Sequence, residues 1–219
     1  VNPLNLNPLR DLLEAQVDFE RVETCRQTQL FISATNVHTG RVRVFRNPEI
    51  TADTVMASAC LPFLFQAVEI DGVPYWDGGY MGNPALFPFF DCCTTSDVLL
   101  VQINPMERAE TPKTAREILN RINEITFNAS LMKEFRAIEF VSRLIEQGRL
   151  DGTAYRQVRL HRIQDAEAIK SLSASSKLNA EWAFLTHLRD LGRDAAGQWL
   201  DTCFDRVGER STVDITDML

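Results

Sequence analysis

Ile70-Asp71-Gly72-Val73-Pro74-Tyr75-Trp76-Asp77-Gly78-Gly79-Tyr80-Met81-Gly82-Asn83-Pro84 is the stretch on which the reading of this chain turns. Short apolar runs on either side of Asp71-Gly72 predict a tight hairpin, because Asp-Gly tolerates the left-handed backbone such a turn requires. The second run delivers Asp77 onto a pair of glycines, so one carboxylate is presented at the edge of a sheet. Gly78 and Gly79 permit backbone angles that a Cβ resists. Trp76 and Tyr80 are placed to shield the carboxylate from water, and shielding makes it a better base. Taken alone, the motif also reads as an ordinary Asp-Gly turn joining a strand to a loop.

What the sequence lacks matters as much. No glycine in it is followed two positions later by serine, so it contains no Gly-x-Ser-x-Gly nucleophile elbow. An acid without a nucleophile suggests part of an enzyme. Ser58 lies in a small-residue helix with no base in view, and it is not nominated as a nucleophile.

Working outward, Leu9, Leu12, Leu13 and Val17 follow Asn7-Pro8 at helical spacing, with Asn as cap and Pro suited to the first turn. Residues 29–37 read as a buried strand and 40–45 as its hairpin partner across Thr39-Gly40. The small residues of 51–60 suit a short helix packed closely on a strand and stopped by Pro62. Residues 98–103 form another apolar strand, ended by Asn104-Pro105. Ile118, Ile122 and Ile125 make one helical stripe, and Leu131, Phe135, Ile138, Val141 and Ile145 make another before Gly148, which predicts two amphipathic helices. Residues 155–161 alternate as a strand, 171–176 are a loop, and Leu178, Trp182, Leu185, Leu188 and Leu191 mark the last helical face. The prediction is one α/β domain over 1–219, sheet-rich over 1–105 and helix-rich over 106–219. Its central, mainly parallel sheet is flanked by helices.

The chain has 219 residues and a net charge of -7, with 45% hydrophobic and 24% charged residues, so disordered and fibrous classes are excluded. Scattered basic residues on an acidic chain argue against nucleic acid as a partner. The five cysteines have no zinc-type spacing, and Cys92 and Cys93 are adjacent, which disfavours a bridge between them. A reducing, cytoplasmic location is expected; because the chain starts with Val, an upstream segment with a secretion signal stays open. The uncharged window 54–68 is too short to span a bilayer, for which roughly 18 apolar residues are needed.

Several blocks together resemble the patatin-like phospholipases: Ala57-Ser58-Ala59-Cys60-Leu61-Pro62, then Asp77-Gly78-Gly79, then Asn83-Pro84, preceded by Ser33-Ala34-Thr35-Asn36-Val37-His38-Thr39-Gly40. Farther along, Ser176-Lys177-Leu178-Asn179-Ala180-Glu181-Trp182 and Leu188-Arg189-Asp190-Leu191-Gly192-Arg193 are similar to the terminal helix of a bacterial branch. The resemblance implies the carboxy-terminal part of a three-layer patatin-like sandwich and a Ser-Asp dyad hydrolysing lipid acyl esters. Asp77 matches the family's aspartate. In that family the Gly-x-Ser-x-Gly elbow and the glycine-rich oxyanion loop lie upstream of all these blocks. The expected partners are therefore a missing amino-terminal segment bearing both, a lipid or ester substrate, and a membrane surface. This chain alone is expected to be inactive and, with a sheet edge or apolar face uncovered, prone to association.

Other residues are read more plainly. Asn83 is expected to shape the Asp-Gly-Gly loop through backbone hydrogen bonds, and Pro84 to start a helix. Phe63, Phe65, Phe87, Phe89 and Phe90 cluster around that loop, either as core or, for Phe63 and Phe65, as an acyl-chain groove. His38, His161 and His187 have neither metal nor triad spacing and read as structural, while Arg189 and Arg193 read as helix-supporting charges. No metal site and no cofactor is implied. Two alternatives stand beside the hydrolase: a catalytically silent patatin-fold protein that binds lipid or protein, and an interaction module built on the helices after Lys113.

Overall fold

The computed structural model describes residues 5–152, 154–172, 176 and 179–218. They fall into two units, 1–92 and 93–219, each with its own packing.

In the first unit, Asn7 opens helix α1 (Leu9–Gln16) by accepting the Leu9 N–H on its side-chain oxygen at 3.2 Å. Helix α2 (Phe19–Thr24), unforeseen in the sequence, is capped by Asp18, which accepts the Arg21 N–H at 3.0 Å. Strands β1 (Phe31–Asn36) and β2 (Val42–Arg46) form the predicted hairpin, with Phe31 opposite Arg46 and Thr35 opposite Val42. Helix α3 (Ala52–Ser58) buries Ala52, Thr54, Met56 and Ala57, and Thr51 and Thr54 bond reciprocally across its first turn. Strands β3 (Val68–Ile70) and β4 (Val73–Asp77) make the second predicted hairpin. Asp71 and Gly72 both have positive φ, 52° and 75°, as a primed two-residue turn demands. Helix α4 (Phe87–Cys92) follows.

These strands assemble in the order β2-β1-β4-β3, every neighbour antiparallel. The expected mainly parallel central sheet is not what the described residues form. Within each hairpin the reason is local: the connection is too short to carry the chain back to the start of a strand, so its two strands must run in opposite directions, and β1 and β4, farther apart in the chain, also pair antiparallel. Ala34, Phe45, Ile50, Ala57 and Tyr75 fill the core, with the rings of Phe45 and Tyr75 meeting edge to face at 5.6 Å.

The second unit holds the parallel pair. Strand β5 (Asp97–Val101) runs beside β6 (Arg159–Ile163) with Asp97 opposite Arg159 and Leu99 opposite His161. The crossover between them contains α5 (Ala115–Glu146), as a parallel connection requires. The predicted pair of helices is this one 32-residue helix. No Gly or Pro interrupts residues 115–146, and Thr114 and Glu117 form a capping box only at its start. The two apolar stripes exist, but at about 100° per residue they lie on nearly opposite faces. Ile118, Ile122 and Ile125 are exposed, whereas Leu131, Phe135 and Ile138 are buried. Helices α6 (Ala166–Ser171) and α7 (Trp182–Cys203) complete the unit. Leu178 and residues 173–175, assigned above to the last helical face and to a loop, lie outside the described residues.

Candidate active site

Asp77 is the last residue of β4, and its peptide group is held on both sides. Its N–H donates to the Cys60 carbonyl at 2.9 Å, and its carbonyl accepts the Thr35 hydroxyl at 2.8 Å. Ala34 stands opposite it on β1. The side chain then turns forward: one carboxylate oxygen accepts the Gly79 N–H at 2.7 Å, capping the single 3-10 turn Gly78–Tyr80. A helix cap of this kind places negative charge where unsatisfied backbone N–H groups gather. Bonds from its main chain to Cys60 and Thr35 thus fix the residue that carries this half-buried carboxylate.

The two glycines act differently from the expectation. Neither is among the residues with positive φ. Gly78 is required sterically, since a Cβ there would run into the carbonyl and side chain of Ser33 on β1. Ser33 in turn donates its hydroxyl to the Gly82 carbonyl at 3.1 Å, tying the far end of the loop to the same strand. Gly79 is buried and supplies the N–H that holds Asp77. Asn83 precedes a cis peptide bond to Pro84, and α4 starts at Phe87, so Pro84 does not open a helix.

The charge of Asp77 is felt by its neighbours. Burial pushes the Tyr80 phenol up, and the Asp77 carboxylate adds to the effect. The Cys60 thiol is likewise raised, first by burial and further by Asp77, with a backbone hydrogen bond from Val68 opposing. Cys60 is buried and donates to the Gln66 carbonyl at 3.1 Å, so this thiol stays protonated and is no substitute nucleophile.

The phenylalanines separate. Phe89 packs edge to face on Phe31 at 5.4 Å, in the manner of a core residue. Phe63 is 79% exposed, on the turn that follows Cys60, and Phe65 beside it is half-buried. Asp77 is not among the residues that line the first unit's cavity between Cys25, Phe31, Arg46 and Cys92.

A second polar cluster, missed in the sequence, lies in the other unit. Asp97 accepts two bonds from Arg159, at 2.9 and 2.7 Å, one from the Gly208 N–H at 2.9 Å, and sits 3.0 Å from His161 Nε2. His161 Nδ1 lies 3.2 Å from the Thr212 hydroxyl. An Asp-His-Thr row invites comparison with a catalytic triad, but the imidazole is 1% exposed and the aspartate is saturated by three partners. The row joins β5 and β6 to the segment after α7, and His161 is the structural histidine expected. Arg189 pairs with its neighbour Asp190 on α7, a surface contact. Among the described residues, no cluster of three or more His, Cys, Asp or Glu side chains is placed to hold a metal ion. No helix among them is long and apolar enough to cross a membrane.

Ser33, Thr35 and the Cys60 carbonyl are the supporting groups that sequence reasoning did not single out. Each lies within a family-like block, which was the available signal.

The model of the patatin-like phospholipase family matches residues 4–90. No curated protein matches the chain. The matched stretch contains the Ser33 to Gly40 block, the Ala57 to Pro62 block, Asp77 with its two glycines, and Asn83-Pro84; the block around α7 lies outside it. Over that stretch, less than half of the chain, the sequence is similar to the patatin-like phospholipases.

Proposed function

We propose that this chain supplies the aspartate of a Ser-Asp lipid acyl hydrolase, with Asp77 as base toward a serine carried on a Gly-x-Ser-x-Gly segment that is not in this chain. The observation that carries the reading is the fixation of Asp77 through its own peptide group by Cys60 and Thr35, within the family-matched stretch. A base must meet its nucleophile within hydrogen-bond reach, and a carboxylate at the end of a central strand keeps its position without relying on side-chain order. Asp77 takes the serine proton as the acyl-enzyme forms and activates water for its breakdown. The oxyanion is held by backbone amides of the glycine-rich loop in the same absent segment.

The substrate on this reading is a carboxylic ester of a phospholipid or lysophospholipid. Phe63 and Phe65 border the acyl groove, consistent with the exposure of Phe63 next to the Cys60 support. The serine-bearing segment also completes a three-layer sandwich with a mainly parallel sheet. In support, β5 and β6 are parallel and leave Leu99 and Val101 exposed, although parallel sheets are ordinarily covered on both faces. The free state of all five cysteines fits a reducing, cytoplasmic setting.

The test is denaturing intact-mass analysis after treatment with a fluorophosphonate, followed by ester hydrolysis in protein that contains the serine segment. Label on a serine of that segment, and hydrolysis lost in Asp77→Asn, is the expected result. Undiminished hydrolysis by Asp77→Asn sinks the assignment. An upstream coding sequence lacking Gly-x-Ser-x-Gly would favour the silent, lipid- or protein-binding relative instead.

A further inference from the structure

The second unit contains a cavity of about 320 Å³ at the carboxyl ends of the two parallel strands, where open parallel sheets tend to bind ligands. Its apolar walls come from Ile103, Phe127, Ile169, Phe184, Leu188 and Leu191, contributed by α5, α6, α7 and the chain beyond β5. The volume holds roughly ten water-sized groups at about 30 Å³ each, at the small end of ligand pockets.

One polar atom in this setting is out of place. Gln102 lines the cavity and is 6% exposed, and its Oε1 has no hydrogen-bond partner among the described residues. The amide orientation is set by the other end, because Nε2 donates to the Asn104 carbonyl at 3.0 Å and a flipped amide would set two oxygens against each other. A buried carbonyl oxygen left unpaired is costly, so the site is built for a donor.

The charged residues around the cavity narrow the choice. Glu124 and Asp165 line it, and no Lys, Arg or His does so among the described residues. Arg108 and Arg121 spend their guanidinium groups on Glu124 and on the carbonyls of Leu172 and Met106. Asp165 accepts the Ala168 N–H at the start of α6. An anionic headgroup entering here meets carboxylates and an acceptor, with no lining cation to receive it.

We infer that this cavity binds a small neutral amphiphile, an aliphatic chain ending in a hydroxyl, whose O–H donates to Gln102 Oε1 while the chain lies against Phe184, Leu188 and Leu191. This inference does not depend on the role of Asp77, which lies in the other unit.

The experiment is isothermal titration of the full chain at neutral pH with 1-octanol, 1-methoxyoctane and octanoate. Saturable binding of octanol is expected, with the ether and the carboxylate each weaker by on the order of tenfold, the worth of one buried hydrogen bond. Gln102→Met should abolish the preference for octanol over the ether, and Leu188→Trp, which fills the cavity, should remove binding of both. No saturable octanol binding, equal affinities for octanol and ether, or octanoate as the tightest ligand each overturn the proposal, as does unchanged binding in Leu188→Trp. If either variant fails to unfold cooperatively, the octanol-to-ether ratio in the unaltered protein decides alone.

Discussion

Two aspartates twenty residues apart meet opposite treatment. Asp97, at the start of β5, has its carboxylate gripped by Arg159, the Gly208 N–H and His161. Asp77, at the end of β4, is held through its peptide group, with one carboxylate oxygen resting on the N–H of a glycine turn. A carboxylate surrounded by cationic and backbone donors contributes to stability and is a weak base, because its charged form is the one its partners favour. The place of Asp77 is set instead through its peptide group, by the Cys60 carbonyl and the Thr35 hydroxyl. The difference gives Asp97 a structural task and is consistent with the chemical task proposed for Asp77.

The largest effect belongs to the turn that presents Asp77. Gly78→Ala drives a methyl group into the Ser33 backbone, which has no flexible end to give way. A loss of about 3 kcal/mol or more is expected in a guanidinium titration of the full chain. A loss below about 1 kcal/mol would show that β1 and the turn can part, and the picture of a rigidly placed Asp77 would fail.

Asp77→Asn should leave stability within about 1 kcal/mol, since the Asn oxygen still accepts the Gly79 N–H. In protein containing the serine segment it should lower ester hydrolysis by roughly a hundredfold or more. Asp97→Asn should do the reverse: a loss of about 2 to 3 kcal/mol as Arg159 and His161 lose their charged partner, with the chemistry of the remaining folded protein unchanged. Equal stability losses for the two variants would erase the distinction between them.

Acid sharpens the same contrast. Hydrogen bonds from Arg159 outweigh the cost of burial and, with the Gly208 N–H and His161, hold the Asp97 carboxyl well below the usual carboxylate range. Its folded value lies below its unfolded one, so its stabilisation is complete above about pH 4 and drains away as pH falls from there toward the folded value. Unfolding midpoints measured between neutral pH and acid should fall less steeply in Asp97→Asn than in the unaltered chain.

The smallest effect is expected at Phe63, which is too exposed to hold the fold together. Phe63→Ala should change stability by less than about 0.5 kcal/mol. It should selectively weaken turnover of long-chain over short-chain esters. Equal turnover of both would remove Phe63 from the acyl groove.

Much of the first unit was legible because its signals are local. Asp71-Gly72 specifies a two-residue turn, Thr39-Gly40 marks the longer turn between Asn36 and Val42, and the apolar alternation on either side leaves little choice of register. Sheet direction was legible only in part: the short connections of both hairpins enforce antiparallel pairs that the family resemblance did not suggest, while β5 and β6 run parallel. The break imagined in α5 came from reading a change of apolar face as a change of element; a helix continues through such a change when no Gly or Pro stops it.

What the sequence determined by itself, then, is Asp77 on its two-glycine turn, the hairpins around it, and the lack of any serine elbow in the chain, because each depends on neighbours a few residues apart. Only the tertiary structure decided why Gly78 must be glycine, that Thr35 and Cys60 hold Asp77, that Asp97 is consumed by Arg159 and His161, and that Gln102 keeps a buried oxygen beside an apolar cavity. Those facts rest on contacts across tens of residues, and no local propensity or spacing encodes which distant groups a folded chain will bring within hydrogen-bond reach.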